Sequence, residues 1–203
     1  MRFAWLAFIS EFIGTVLIGF EIDLLRRIER GDGTEAEVDR LDAYAAVYSL
    51  PAGTVVLVAF VLALVWIYRV NRNAWVLRPT GMKFRPGWSV AWCFIPFANL
   101  VQPYRIMGEL WRANMAAHDA PNWRYKVIPS SVFGWWIFTV VSIVSGTFYR
   151  AGTNQADSIP EYMTADGFFI LSSLTALVMW HLSIRLVREI QAGQNRLATA
   201  AVF

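Results

Sequence analysis

The sequence predicts an all-α integral membrane protein: a four-transmembrane-helix bundle with an interfacial or re-entrant, proline-broken segment and an amphipathic helix between the second and third spans. Three observations lead there. The 203 residues are 57% hydrophobic and 16% charged, whereas a soluble surface needs about 25% charged residues. Four windows of membrane-spanning length, at residues 3–20, 50–68, 131–149 and 167–184, carry almost no charge. Finally, lysine and arginine are distributed very unevenly among the stretches between those windows. Together these predict one membrane domain over residues 1–203.

Charge sets the orientation. Residues 69–85 hold Arg69, Arg72, Arg78, Lys83 and Arg85 without a single acid, which predicts a cytoplasmic loop. Residues 21–43 hold four arginines against eight acids, and residues 150–166 hold Arg150 against Asp157, Glu161 and Asp166. Both are expected outside. The tail, with Arg185, Arg188 and Arg196 against Glu189, is expected inside with Arg2. A third span that ends outside at Arg150 must begin inside, so residues 69–130 start and finish in the cytoplasm and the apolar patch at 88–101 cannot cross. Both termini are cytoplasmic in this arrangement. All ten tryptophans fall in its inner half, while Tyr44, Tyr48, Tyr149 and Tyr162 mark the outer one. Aromatic belts ordinarily occur at both interfaces, so the inner face is expected to do more than anchor. Its cations suit an anionic inner leaflet, at about 1 kcal/mol per well-placed charge, or an acidic partner. Nucleic acid is not implied, because the cations sit at span ends rather than on a soluble module.

The first window follows Met1-Arg2 directly, but its basic region is too small and its apolar run too long for a signal peptide, so it is expected to be a span. Glu11 lies about 12 Å from its cytoplasmic edge at 1.5 Å per residue. A carboxylate that deep costs roughly 2.5–3.5 kcal/mol on insertion scales and should face the bundle. His181, in the fourth span, is the nearest partner by depth. The pair is read as a buried structural hydrogen bond, with a proton or ion relay as the sharper alternative. Beyond residue 20 an external helical hairpin is expected at 21–48, turning at Gly31-Asp32-Gly33 and restarting at the capping box Thr34-Glu35-Ala36-Glu37. The second span is expected to start at Ser49-Leu50-Pro51, where a proline suits the first turn. Ala59 with Ala63, Ser142 with Gly146 and Ser172 with Ala176 are small-residue pairs that let helices pack closely.

The stretch from Trp66 to Asn114 carries the candidate site. Trp66, Arg69 and Asn73 share one helical face at the inner boundary, with Arg72 beside it. Turn signals at Arg78-Pro79-Thr80-Gly81 and Arg85-Pro86-Gly87 then break the helix. Residues 88–101, containing Trp88, Trp92, Pro96 and Asn99, are too few for a span, and backbone broken at membrane depth must be covered by protein or water. Asn99 and Gln102 are expected to satisfy the freed groups. From Tyr104 a helix places Ile106, Leu110 and Ala113 on one side, with Arg105, Glu109 and Arg112 around the other, and reads as amphipathic and in-plane. Trp111 adds a further ring. The plainest reading is a membrane-surface anchor. The sharper one is a cavity or docking surface in which Arg69, Arg72, Arg105 and Arg112 donate to a lipid head group, small anion or protein.

The loop with His118, Asp119, Trp123 and Lys126 leads to the third span, entered after Pro129-Ser130-Ser131. Thr164-Ala165-Asp166 is expected to cap the fourth, which continues as a basic helix to about residue 191 before fraying. No G-x-S-x-G, H-E-x-x-H, Walker glycine loop or C-x-x-C occurs, so no catalytic residue, cofactor or metal site is expected. A lone His181 reads as structure rather than a pigment or haem ligand. Cys93, the single cysteine, forbids an internal disulfide.

Several blocks in that stretch look familiar in combination. They are Trp66 and Arg69 followed by Asn73-Ala74, then Pro86-Gly87-Trp88, Ile95-Pro96-Phe97 with Asn99-Leu100, and Pro103-Tyr104-Arg105. Through them the chain resembles the bacterial multipass membrane domain of unknown function numbered 4328, over roughly residues 45 to 190. The resemblance implies a bacterial inner-membrane protein and carries over no activity. The expected role is a non-enzymatic subunit that binds a protein partner or assembles as a homo-oligomer through its Trp/Arg inner face. The alternative is a small oligomeric transporter or channel using Glu11 and the broken segment around Pro96.

Overall fold

A computed structural model describes residues 2–77, 81–116 and 122–200. They form α1 (Arg2–Glu29), α2 (Glu35–Leu77), α3 (Pro86–Ala91), α4 (Gln102–Met115), α5 (Ser130–Thr153) and α6 (Ile159–Ala200), with 3₁₀ turns at Ala98–Leu100 and Trp123–Tyr125. There is no strand among the described residues. Helices α1, α2, α5 and α6 are long and apolar enough to cross a membrane. Even α5, with 24 residues, reaches about 36 Å, against a hydrocarbon core of about 30 Å. Leu57, Val47, Phe20 and Ile143 leave most of their surface uncovered, an arrangement suited to an apolar solvent. The chain is a multipass all-α membrane protein.

The helices outrun the apolar windows, and several expected boundaries move. Pro51 does not open a first helical turn, because α2 runs unbroken from Glu35 with Pro51 inside it. Proline removes one N–H and crowds the carbonyl four residues back, a defect that packing nearby can absorb. Tyr48 supplies it: its hydroxyl donates to the Ser10 carbonyl of α1, and Gly14 makes room for the ring. The hairpin at 21–48 is therefore the extended ends of α1 and α2. Gly31 turns it with φ +83°. Glu37 accepts the Thr34 hydroxyl at 2.9 Å and the Thr34 N–H at 3.0 Å, and pairs with Arg27 at 2.8 Å. Those hydrogen bonds, with the guanidinium, hold its carboxyl below the usual carboxylate range.

The helix that carries the fourth apolar window is longer than expected at both ends. Its cap is not Thr164-Ala165-Asp166. The helix starts at Ile159, where the Ser158 carbonyl receives the N–H groups of Glu161 and Tyr162 and the Glu161 carboxylate accepts the Asp157 N–H at 2.8 Å. Asp166 consequently lies within the helix and is buried. At the far end α6 does not fray after residue 191. It continues to Ala200 because Gly193, Gln194 and Leu197 are buried in a core.

The described residues gather into two compact units. The first comprises Arg2–Ala59 and Ile137–His181. Within it the small-residue faces of α5 and α6 meet: the Ser172 hydroxyl donates to the Ser142 carbonyl at 2.9 Å, beside Gly146. Ring pairs Phe148–Phe168 at 5.3 Å and Tyr149–Phe169 at 4.9 Å extend that seam. The expected pairing of Glu11 with His181 is absent. Among the described residues no hydrogen bond or ion pair joins them, and the His181 side chain is exposed. Matching depth along two helices leaves the direction around each axis open, and His181 faces outward.

The second unit comprises the described residues of Phe60–Trp136 and Leu182–Phe203. Ile106, Met107, Leu110 and Ala113 of α4 pack there with Val70 and Ala74 of α2, Val132 of α5, and Leu186 and Ile190 of α6. The apolar side of α4, expected to face lipid, is thus covered by protein. Gly193 permits the close crossing, since a Cβ there would lie 2.3 Å from the Asn114 carbonyl oxygen. Gln194 donates to the Val70 carbonyl at 2.8 Å and accepts from Asn73 at 3.4 Å.

Candidate functional site

Within the second unit, the chain after α2 is pinned by one acid. Glu109 belongs to the side of α4 expected to be polar, yet is only 8% exposed. Its carboxylate accepts the backbone N–H groups of Lys83 at 2.7 Å and Phe84 at 3.1 Å. Trp75 secures the same loop from α2, donating to the Phe84 carbonyl at 2.9 Å. Burial pushes the Glu109 carboxyl above the usual carboxylate range, although both N–H donors and the nearby Lys83 and Arg124 pull the other way. A helical step of 100° puts Glu109 only about 60° from Ile106 around α4. It sits at the border of the apolar face, and the loop folding over that border buries it.

The pinned loop, α4 and the turn at Trp123–Tyr125 enclose a groove of about 820 Å³. Its charged lining is Lys83, Arg105, Arg112 and Arg124 with Glu109, and Phe84, Tyr104, Trp123 and Tyr125 supply rings. Arg112 Nε donates to the Lys126 carbonyl at 2.8 Å, which fixes the guanidinium at the rim. The Arg124 guanidinium lies 6.0 Å from the Trp123 ring centroid. It also occupies the space that a Cβ on Gly81 would take, at 2.5 Å, and Gly81 has the left-handed φ of +106°. A smaller depression of about 400 Å³ adjoins it across Lys83 and Phe84, lined further by Arg85, Trp88 and Trp92. The two indoles stack at a tilt, 5.5 Å apart.

The sequence-derived set is therefore brought together only in part. Tyr104, Arg105 and Arg112 share the groove, and Trp88 with Trp92 occupy the neighbouring depression. Trp66 packs against the core. Asn73 is engaged by Gln194, while Arg69 and Arg72 are exposed on α2 and line neither depression. Trp111 turns to α6, donating to Glu189 at 3.4 Å, and Lys126 sits 5.6 Å from its ring centroid. Lys83, Glu109, Arg124 and Tyr125 are members that the sequence reading leaves out. Two of them carry a signal in the sequence, Glu109 by its border position and Lys83 by its place in the acid-free basic loop at 69–85. Arg78, Pro79, Thr80, His118 and Asp119 lie outside the described residues.

The patch at 88–101 is short helix, turn and 3₁₀ turn rather than one element. Its backbone needs neither Asn99 nor Gln102. The N–H groups of Ala98, Asn99 and Leu100 bond to the carbonyls of Pro96, Ile95 and Phe97 at 2.7, 2.9 and 3.2 Å, and Trp136 donates to the Leu100 carbonyl at 3.2 Å. Phe97 takes φ +62° and is 85% exposed at the tip. Phe94 meets Phe60 edge-on at 6.2 Å. Phe60 precedes Arg69 by nine residues, so the tip reaches about 13 Å along α2 from the arginine level. That reach fits a re-entrant excursion better than a segment lying level.

The sequence profile of one protein family, described as Domain of unknown function (DUF4328), matches residues 30–192. The chain belongs to that family. The match takes in the hairpin turn, the Glu109-pinned loop, the groove and all but the last turns of α6. No curated protein and no solved structure matches the chain.

Proposed function

We propose that the chain is a non-enzymatic binding subunit of the bacterial inner membrane, with both termini cytoplasmic, that engages a protein partner or a second copy through its Trp/Arg face. One observation carries this reading: four cations and four aromatic rings converge on a groove whose loop is held by a buried carboxylate. Arginine and aromatic side chains are the usual anchors of binding surfaces. Placement in the cytoplasm rests on the excess of lysine and arginine in this segment. The non-enzymatic reading rests on the sequence, which contains none of the catalytic motifs sought. Cross-linking in native membranes followed by gentle extraction tests it. A specific adduct, heterologous or homodimeric, should form with the natural chain and weaken in Arg105→Glu. A clean monomer under the same conditions removes the reading.

A transporter using Glu11 and the loop at Pro96 is the second reading, favoured by a half-buried Glu11 carboxyl with no hydrogen-bond partner among the described residues. Proteoliposomes test it: Glu11→Gln should abolish pH-dependent flux. Flux no greater than in empty vesicles ends it.

A further inference from the structure

We infer that the groove between the loop at Lys83–Phe84, α4 and the Trp123–Tyr125 turn is a binding site for a phosphate group, carried by a phospholipid or by a soluble phosphate compound. The inference deepens the reading of this face as a binding surface and rests on it.

Charge comes first. Lys83, Arg105, Arg112 and Arg124 line one concavity, and none of them takes part in either ion pair found among the described residues, Arg27–Glu37 and Arg185–Glu189. Among the described residues the only acid in the lining is Glu109, whose two oxygens are taken up by the Lys83 and Phe84 N–H groups. It neutralises part of the charge without offering the groove a free carboxylate. Four clustered like charges repel one another, and a multiply charged anion relieves that repulsion more than a singly charged carboxylate does.

Geometry narrows the class further. Three of the four cations are arginines, whose planar forks donate two parallel hydrogen bonds to phosphate oxygens. Two of those forks are placed by other groups. Arg112 uses Nε on the Lys126 carbonyl, and among the described residues its terminal nitrogens have no hydrogen-bond partner. Arg124 rests against Trp123 in the space left by Gly81. A volume of about 820 Å³ falls within the roughly 300–1,000 Å³ usual for small-molecule sites. It suits a head group or small phosphate compound, whereas an extended acidic peptide calls for a longer cleft.

The experiment uses the full chain in phosphatidylcholine nanodiscs. In one arm inorganic pyrophosphate is titrated calorimetrically. In the other, discs carry one-fifth phosphatidic acid or the same fraction of oleate, and co-purified lipid is counted by native mass spectrometry. Saturable pyrophosphate binding identifies a soluble source. Retention of phosphatidic acid over oleate, without pyrophosphate binding, identifies a lipid head group. Either result supports the site, provided Arg105→Gln and Arg124→Gln each weaken it about tenfold or more, the loss expected for a charge-assisted contact, while Arg188→Gln does not. Arg188 is exposed and outside the groove, so an equal loss there means bulk electrostatics and overturns the inference. So does the absence of both kinds of binding in protein whose melting is unchanged. Gly81→Ala, which displaces Arg124 without altering charge, should weaken binding in the same assay, and full retention counts against the geometry. Capture of a protein partner without phosphate binding overturns this inference alone. Phosphate binding by a chain that captures no partner overturns the partner reading and leaves this one standing.

Discussion

Glu109 shows how one side chain decides the course of the chain around it. Removing its carboxylate in Glu109→Ala leaves the Lys83 and Phe84 N–H groups without an acceptor, and each such buried group costs about 1–3 kcal/mol. The melting temperature in detergent should fall clearly, and less in Glu109→Gln, which keeps one acceptor oxygen. The pH dependence has a definite sign. Because the folded carboxyl titrates above its unfolded value, the folded state holds more protons across that window. Its contribution to stability is complete below the ordinary carboxylate range and is lost as pH rises through the folded value. The melting temperature of the natural chain should therefore decline with rising pH there, and Glu109→Gln should flatten that decline. A second residue-scale test is steric. Gly193→Ala would set a methyl 2.3 Å from the Asn114 carbonyl oxygen. Overpacking of this kind costs about 1–3 kcal/mol, so its melting temperature should drop, whereas Gly134→Ala, with 3.6 Å to Leu182, should melt like the natural chain.

At the scale of elements, the helices extend as far as their packing does rather than as far as their apolar windows. Hydropathy finds the middle of α2 but not its start, because residues 35–45 are polar while their helix is continued by the Arg27–Glu37 pair and the Tyr48–Ser10 contact. The end of α6 escapes notice for the converse reason. Gly193 and Gln194 look like a helix stop, yet they are what a close crossing with α4 and a buried bond to Val70 require. The Pro96 turn is legible as a break, while its shape is not. Nothing in the local pattern announces a positive φ at Phe97, a sparsely populated conformation that costs a side-chain-bearing residue about 1–3 kcal/mol. Phe97→Gly should accordingly raise stability in detergent by about 1 kcal/mol. Equal or lower stability in detergent would mean that the ring, not the backbone, dominates.

For the molecule as a whole, the positive-inside arrangement makes a direct forecast. In a Cys93→Ser background, a cysteine placed at Met115 should resist a membrane-impermeant thiol reagent applied from the periplasm of intact cells and react after permeabilisation. One placed at Asn154 should react at once. Labelling of both from outside would invert the map around the patch at 88–101.

Much of the molecule follows from composition and pattern, because the bilayer imposes a one-dimensional rule: a stretch of sufficient length without charge must be a buried helix. The four spans, the proline break and the small-residue seam at Ser142 and Ser172 are readable on that basis. The groove is not, because Lys83, Arg105 and Arg124 come from three separate stretches and meet only when α4 spends its apolar face on α2, α5 and α6. Periodicity gives the face of a helix but not what covers it. That choice, protein rather than lipid against α4, is what buries Glu109 and turns a run of surface cations into a concave site.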